Sequence, residues 1–321
     1  MYSLTELRDA TTPFQKARCV HNLDDLPFPD WDQMPPCEYP PYGMGVIYKK
    51  RPVGVIMTSR GCSAKCKFCS STNFYGVGVR FRSPENVVDE IQYLKERFGI
   101  KEFQFYDDNV ILKRSHIERI CRITLERNIN LPWMLPNGIR ADCVDNELAK
   151  LMKKSGCYYS GLGIESANDN ILKNIEKNES VAVMSQAIKT LERNGIDTGG
   201  FFILGLPGET KTTLQNTINF AVNSALSFAN FYKFTVLPGC EFWKELDVKM
   251  ESFYKKTYEG GYVPEGLCKK DLDDARFSAY IKFFLRPRAI VKFLKYFHFV
   301  QIKYLLRRMF DFGLLPKKNK K

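Results

Sequence analysis

Between residues 53 and 236 the sequence repeats one local pattern, and this repetition limits the fold more than any other feature. A short apolar run alternates with a longer stretch whose apolar residues recur three and four apart. The runs at 53–58, 102–106, 131–135, 158–164, 198–204 and 229–236 are rich in Val, Ile, Phe, Tyr and Leu and read as buried strands. Helices are expected between them at 84–98, 115–127, 145–155, 180–194 and 210–224. Ser83 followed by Pro84 reads as an N-cap and first helical position, and Gly99, Gly156 and Gly195 read as helix stops. Six strands joined through helices require a parallel sheet with right-handed crossovers, an α/β fold. Periodicity leaves open whether that sheet is flat or curled into a barrel.

In parallel α/β folds the chemistry gathers at the C-terminal ends of the strands, and the polar residues fall there. The first strand runs into Arg60-Gly61-Cys62-Ser63-Ala64-Lys65-Cys66-Lys67-Phe68-Cys69, and the second ends in Tyr106-Asp107-Asp108-Asn109. The third ends in Asn137-Gly138-Ile139-Arg140, the fourth in Gly163-Ile164-Glu165-Ser166 and the fifth in Gly205-Leu206-Pro207-Gly208-Glu209. The cysteines are spaced C-x3-C-x2-C. Three thiolates can hold three irons of a four-iron cluster and leave the fourth iron without a protein ligand. Closed zinc sites instead pair short spacings, and no second C-x2-C stands in the sequence. Three unpaired thiols in a loop are the plainest alternative.

The cysteine spacing, with Phe68 in the aromatic slot before Cys69, resembles the cluster loop of the radical S-adenosylmethionine (SAM) enzymes. The resemblance runs over residues 52–239 and touches all five strand-end segments. It implies a partial (β/α)6 TIM-like barrel with a 4Fe-4S cluster on Cys62, Cys66 and Cys69. It further implies SAM chelated at the open iron, cleaved reductively to a 5′-deoxyadenosyl radical that abstracts hydrogen from a substrate. Carried over residue by residue, Asp107 or Asp108 would accept a hydrogen bond from the SAM ammonium, unless the pair serves as a helix cap. Glu165 and Asn137 would reach the ribose hydroxyls. Arg140 would pair with the SAM carboxylate through its fork, or form a surface ion pair. Gly205 would let backbone approach the adenine, with Pro207-Gly208 as the turn. A reductant such as ferredoxin or flavodoxin is implied as partner. The barrels most similar in these motifs belong to the cobalamin-associated branch of methyltransferases and ring-forming cyclases. In that branch a linker like Leu23–Trp31 follows a cobalamin-binding domain; here His21, His116 and His298 stand in no D-x-H-x-x-G motif, so cobalamin is not inferred from them. An iron–sulfur carrier without SAM chemistry is the rival from another class.

Outside the barrel, residues 1–51 carry Pro27, Pro29, Pro35, Pro36, Pro40 and Pro41 and read as an extended arm, with the barrel at 52–245 and a helical extension at 246–321. Ten cysteines in a 321-residue chain with no leader-like start read as reduced thiols of a cytoplasmic protein. The net charge of +12 is lopsided: residues 282–321 hold twelve Lys or Arg against Asp311, leaving +1 for the rest. A helix expected over 289–312 would set Lys292, Lys295, Lys303 and Arg307 near one face and Phe293, Phe297, Leu305 and Phe310 opposite. Such a helix either lies on an anionic membrane, which would suit an apolar or lipid-like substrate, or closes the barrel. It lacks the interleaved stacking residues of a nucleic-acid surface.

Overall fold

The computed structural model describes residues 19–39, 47–76, 78–246 and 262–298. In chain order the elements are β1 (Val53–Ile56), β2 (Ser59–Arg60), α1 (Ser71–Tyr75), β3 (Arg80–Phe81), α2 (Pro84–Phe98), β4 (Glu102–Phe105) and α3 (Arg114–Glu126). Then come β5 (Trp133–Ile139), α4 (Asn146–Lys154), β6 (Cys157–Glu165), α5 (Asp169–Asn174), α6 (Val181–Arg193), β7 (Asp197–Leu204), α7 (Lys211–Asn223) and β8 (Phe228–Lys233). Three more helices follow: α8 (Glu241–Glu245), α9 (Lys269–Phe284) and α10 (Pro287–Tyr296). Six strands pair in parallel in the order β1-β4-β5-β6-β7-β8, so the sheet follows the chain and every crossover carries a helix.

Local chemistry sets the helix ends. Ser83, Asp145, Ser180 and Thr210 each accept a hydrogen bond from the backbone N–H three residues on, at 2.9–3.3 Å. Gly99 stops α2 with φ +62°, a conformation that costs glycine nothing. The core lies between the sheet's convex face and these helices: Ile56, Leu94, Phe105, Trp133, Leu162, Phe202, Phe231 and Phe283 are all at most 2% exposed. Strand β5 runs past its expected end through Pro136 to Ile139. A register shift between Leu135 and Gly138 leaves the proline, which has no N–H, outside the ladder.

Pieces outside the sheet hold the barrel at its two ends. The proline-rich arm packs down α2: Asp24 accepts from Ser83 N at 2.9 Å, Trp31 Nε1 donates to Glu90 at 3.1 Å, and Asp32 pairs with Arg97 at 2.8 Å. At the N-terminal end of the strands, α10 packs against the sheet. Its Lys292 and Lys295 both bind Asp197 at the start of β7, and the Tyr296 hydroxyl joins them at 2.5 Å. The Tyr296 ring stacks on Tyr158, with Tyr159, Phe228 and Met134 around it. The helix expected at 289–312 thus starts earlier, at Pro287, and its described part ends at Tyr296, where Phe297 turns extended. Lys292 and Lys295 turn to the barrel, while Ile290, Val291 and Leu294 face outward; Lys303, Arg307, Leu305 and Phe310 lie outside the described residues. Among the described residues no helix is long and apolar enough to cross a membrane.

Candidate active site

The segment after β1 leaves the sheet as β2, carries the three cysteines, and returns antiparallel as β3, with Ser59 opposite Phe81 and Arg60 opposite Arg80. This two-residue ribbon cinches the cysteine loop at the C-terminal mouth of the barrel. Gly61 begins the excursion with φ +92°, and a Cβ on it would sit 2.7 Å from the Gly78 carbonyl. Backbone bonds hold the loop from both sides. Lys67 N donates to Ile175 O at 3.0 Å, Phe242 N donates to Lys67 O at 3.2 Å, and Cys69 N donates back to Cys66 O at 3.0 Å. Phe68, half-buried, packs on the core and fixes the turn between Cys66 and Cys69.

All three cysteines are free thiols; Cys62 and Cys66 are half-buried and Cys69 is exposed. Burial pushes the Cys62 and Cys66 thiols up, Cys66 to about 11, with Lys177 pulling it the other way. Thiols in such a place ionise when a metal's charge is set beside them. Among the described residues no three His, Cys, Asp or Glu groups converge tightly enough for one ion. Three ligands spread over one loop fit a cluster, whose thiolates bind separate irons.

The strand ends bring Asp108, Arg140 and Glu165 into electrostatic reach of these sulfurs. Their neighbours differ. Asp107 is 2% exposed and is consumed by the start of the cysteine loop: it accepts from Thr58 N at 3.0 Å, Thr58 Oγ1 at 2.8 Å and Ser59 Oγ at 2.5 Å. Asp108 is exposed and takes the Ser71 hydroxyl at 2.8 Å. Asn137 donates its amide to the carbonyls of Tyr106 and Asp107, tying β5 to the end of β4. Arg140 forks onto Asp142, at 3.0 and 2.6 Å, and donates to Lys177 O at 2.9 Å. Glu165 sits at φ +62° and 8% exposure, facing Lys177 Nζ at 3.3 Å. Gly205, at φ +89°, donates its N–H to Glu209 Oε2 at 2.6 Å, and a Cβ there would meet Leu272 at 2.9 Å. Burial pushes the Glu209 carboxyl up to about 7.

Lys177 is the residue the strand-end reasoning passes over. It is 5% exposed and lies 3.2 Å from Glu179 as well as 3.3 Å from Glu165. Burial pushes its ammonium down, but the two carboxylates outweigh that and hold it charged. One cation between two carboxylates leaves the cluster at −1 when all three are ionised, and burial keeps the Glu165 carboxyl above its ordinary range despite the lysine. A buried, underneutralised group beside three thiols is a place for a cationic ligand. Lys177 follows α5 in a loop whose Glu176 and Asn178 have positive φ, so no periodicity marks it. The visible hint is a lysine twelve residues after the strand-end glutamate.

This geometry agrees with comparison to known proteins. A Pyrococcus horikoshii protein described as an uncharacterized methyltransferase is 31% identical over 90% of this chain and 62% of its own length. The anaerobic magnesium-protoporphyrin IX monomethyl ester cyclase of Rubrivivax gelatinosus is 29% identical over 83% of this chain and 47% of its own. The chain therefore spans less than two thirds of either relative. The radical SAM methyltransferase TsrM from Kitasatospora setae, solved with cobalamin and a [4Fe-4S] cluster, superposes with a TM-score of 0.62 at 16% identity, over 81% of this chain and 61% of that one, and shares the curled six-stranded architecture. The profile of the Radical SAM superfamily matches residues 56–221, just over half the chain and all five strand-end segments, which tells against a carrier without SAM chemistry. With its cysteine loop cinched at the mouth of a six-stranded parallel barrel, this chain belongs to the radical SAM superfamily.

Proposed function

We propose that the chain is the catalytic barrel of a cytoplasmic enzyme that alters an unactivated carbon of a small molecule, by methyl transfer or ring closure. The observation that carries this reading is the cinched loop of Cys62, Cys66 and Cys69 beside the buried Glu165–Lys177 pair. When bound, the 4Fe-4S cluster and SAM supply a 5′-deoxyadenosyl radical on delivery of one electron from a ferredoxin or flavodoxin. The protein's part is placement. Cys62, Cys66 and Cys69 hold the cluster, and Asp107 braces the loop that presents them through Thr58 and Ser59. Lys177, rather than Arg140, is the cation we assign to the SAM site, where it holds Glu165 in place at 3.3 Å, whereas Arg140 forks onto Asp142. Glu165 takes the ribose hydroxyls, Asp108 the ammonium, and the Gly205 turn the adenine. Methyl transfer is favoured by the methyltransferase relative and ring closure by the cyclase.

The test is anaerobic reconstitution, which should load about four irons per chain and yield 5′-deoxyadenosine from SAM and reductant. A Cys62→Ala, Cys66→Ala, Cys69→Ala triple variant that still released 5′-deoxyadenosine would sink the assignment. Mass spectrometry of a metabolite extract treated with enzyme and methyl-deuterated SAM separates the two outcomes. A product three deuterium masses heavier than its unlabelled form is methylation; a label-free product two hydrogens lighter than its substrate is ring closure.

A further inference from the structure

The site above lies at the mouth; the hollow beneath it has its own chemistry. Strand parity sorts the side chains. Phe202 and Phe231 stack at 5.1 Å in the helix-covered core at 0–1% exposure, so their neighbours Phe201 and Tyr232 turn to the concave face. Lys233 confirms the parity by pairing with Asp273 of α9 on the outside at 2.7 Å. On the concave face Gly138, Gly161 and Gly199 stand side by side across β5, β6 and β7. Glycine in a central strand weakens it and fills nothing, and it marks a close approach. Here the approach is by rings. A Cβ on Gly161 would sit 2.6 Å from Phe201 Cε2, one on Gly138 3.1 Å from Phe201 Cδ2, and one on Gly199 1.9 Å from the Tyr159 hydroxyl. Phe201 therefore reaches across the β5–β6 backbone, and Tyr232 stands beside it on β8, with ring centroids 6.4 Å apart and planes 28° apart. Tyr232 is 51% exposed, unlike the core aromatics one position away.

The second strand of the same face is polar. Along β4 and the residue beyond it, Glu102, Gln104 and Tyr106 form a ladder: Gln104 donates to Glu102 at 2.9 Å and the Tyr106 hydroxyl to Gln104 at 3.3 Å. Curling the sheet sets this ladder across the hollow from β7 and β8.

We propose that the hollow binds a substrate with a flat conjugated ring system, its face on Phe201 and Tyr232 and a polar edge toward Tyr106. A glycine-lined wall bearing two roughly parallel rings offers ring faces, which a flat conjugated system matches and a puckered or branched aliphatic skeleton meets at a few points only. This rests on the reading of the mouth as a SAM site, since that places the hollow under the reacting atoms.

The test uses the cluster-loaded full chain with SAM and a pair of probes of one skeleton, 2-naphthol and decahydro-2-naphthol, titrated by calorimetry or ligand-observed NMR. The flat probe should bind at least about tenfold more tightly, and Tyr232→Leu and Phe201→Leu should each weaken it about tenfold, as loss of one stacking ring does. Tyr232 is exposed, so its variant keeps the test valid if Phe201→Leu fails to fold. Equal binding of the two probes, no binding of either, or unchanged affinity in Tyr232→Leu overturns the proposal. The iron content and reductive SAM cleavage of the wild-type sample are read alongside. If those are absent, the mouth reading has failed; if they are present and the flat probe is not preferred, the hollow reading alone has failed.

Discussion

Arg140 and Lys177 both act electrostatically on the thiols, and their surroundings separate them. Arg140 ends a strand segment, so its position is legible in sequence; its match to Asp142 two residues on is a matter of loop geometry. Lys177 has no such marker, and only folding brings it between Glu165 and Glu179. The same limit applies to Asp107: its residue type suits a ligand, but burial under Thr58 and Ser59 gives it a bracing role. Lys177→Met should leave two buried carboxylates without a cation, a loss of about 3–5 kcal/mol at pH 7. The Glu165 carboxyl, which burial already raises above the ordinary glutamate value of 4.5, would lose the lysine that pulls it down. The folded state would bind more protons than the unfolded one, so stability should fall as pH rises through that range and recover toward pH 5. SAM affinity should drop at least about tenfold more than in Arg140→Met, some 1.4 kcal/mol. Urea unfolding at pH 5 and 7 and equilibrium SAM binding measure both; a Lys177→Met protein with a flat pH profile and unaltered SAM binding would remove the lysine from the site.

At the scale of elements, the alternation of strands and helices was legible because strands such as β6 are mostly apolar runs buried on both faces, while the helices between them bury one face and several are capped by Ser, Asp, Thr or Gly. What was not legible lacks that pattern. The β2–β3 ribbon has two residues a side, too short for any period. Strand β5 hides its last turns behind Pro136. Helix α9 carries apolar residues on several faces, with Leu272, Ala279 and Phe283 buried and Phe277 and Ile281 exposed, so no stripe announces it. The link from α9 to α10 shows how such an element is fixed. Arg286 donates to the carbonyls of Ala221, Val222, Ser224 and Leu226 at 2.8–3.3 Å, satisfying the C-terminal end of α7. Burial, with Arg288 nearby, pulls its guanidinium down to about 10. A lysine carries the charge but cannot fork over four acceptors. Arg286→Lys should therefore cost about 1–3 kcal/mol, the penalty of stranded carbonyls, seen as a lower denaturation midpoint. A midpoint equal to wild type would mean that charge alone caps the helix.

For the whole molecule, the described residues account for part of the basic C-terminal stretch. Lys292 and Lys295 of α10, which the sequence left open between an anionic surface and the barrel, neutralise Asp197; burial would raise its carboxyl, but Lys292, Lys295 and Tyr296 pull it below its ordinary range. We therefore propose that the described part of this helix closes the floor. On that view a Lys292→Met, Lys295→Met double variant loses about 1–2 kcal/mol at pH 7, discounted for the half-exposed Lys295. Because the Asp197 value is depressed in the folded state, the difference should shrink as pH falls below 3.8, when the carboxyl protonates. Sedimentation with anionic liposomes should be the same for both proteins. Unchanged stability with lost sedimentation would return the lysines, and a lipid-like substrate with them, to the membrane.

The arm that lies along α2 also decides where attachments can go. Its first described residues meet the ribbon at the mouth, where Arg80 holds Val20 O at 2.6 Å, while Tyr48 and His298 stack at the opposite pole, 4.4 Å between rings. A reporter joined directly at residue 19 would start at the rim beside the cysteine loop and obstruct traffic there. One joined directly at His298 would start from the opposite pole and keep clear of it. For labelling, immobilisation or building a two-domain chimera, the two ends of this barrel are not interchangeable handles.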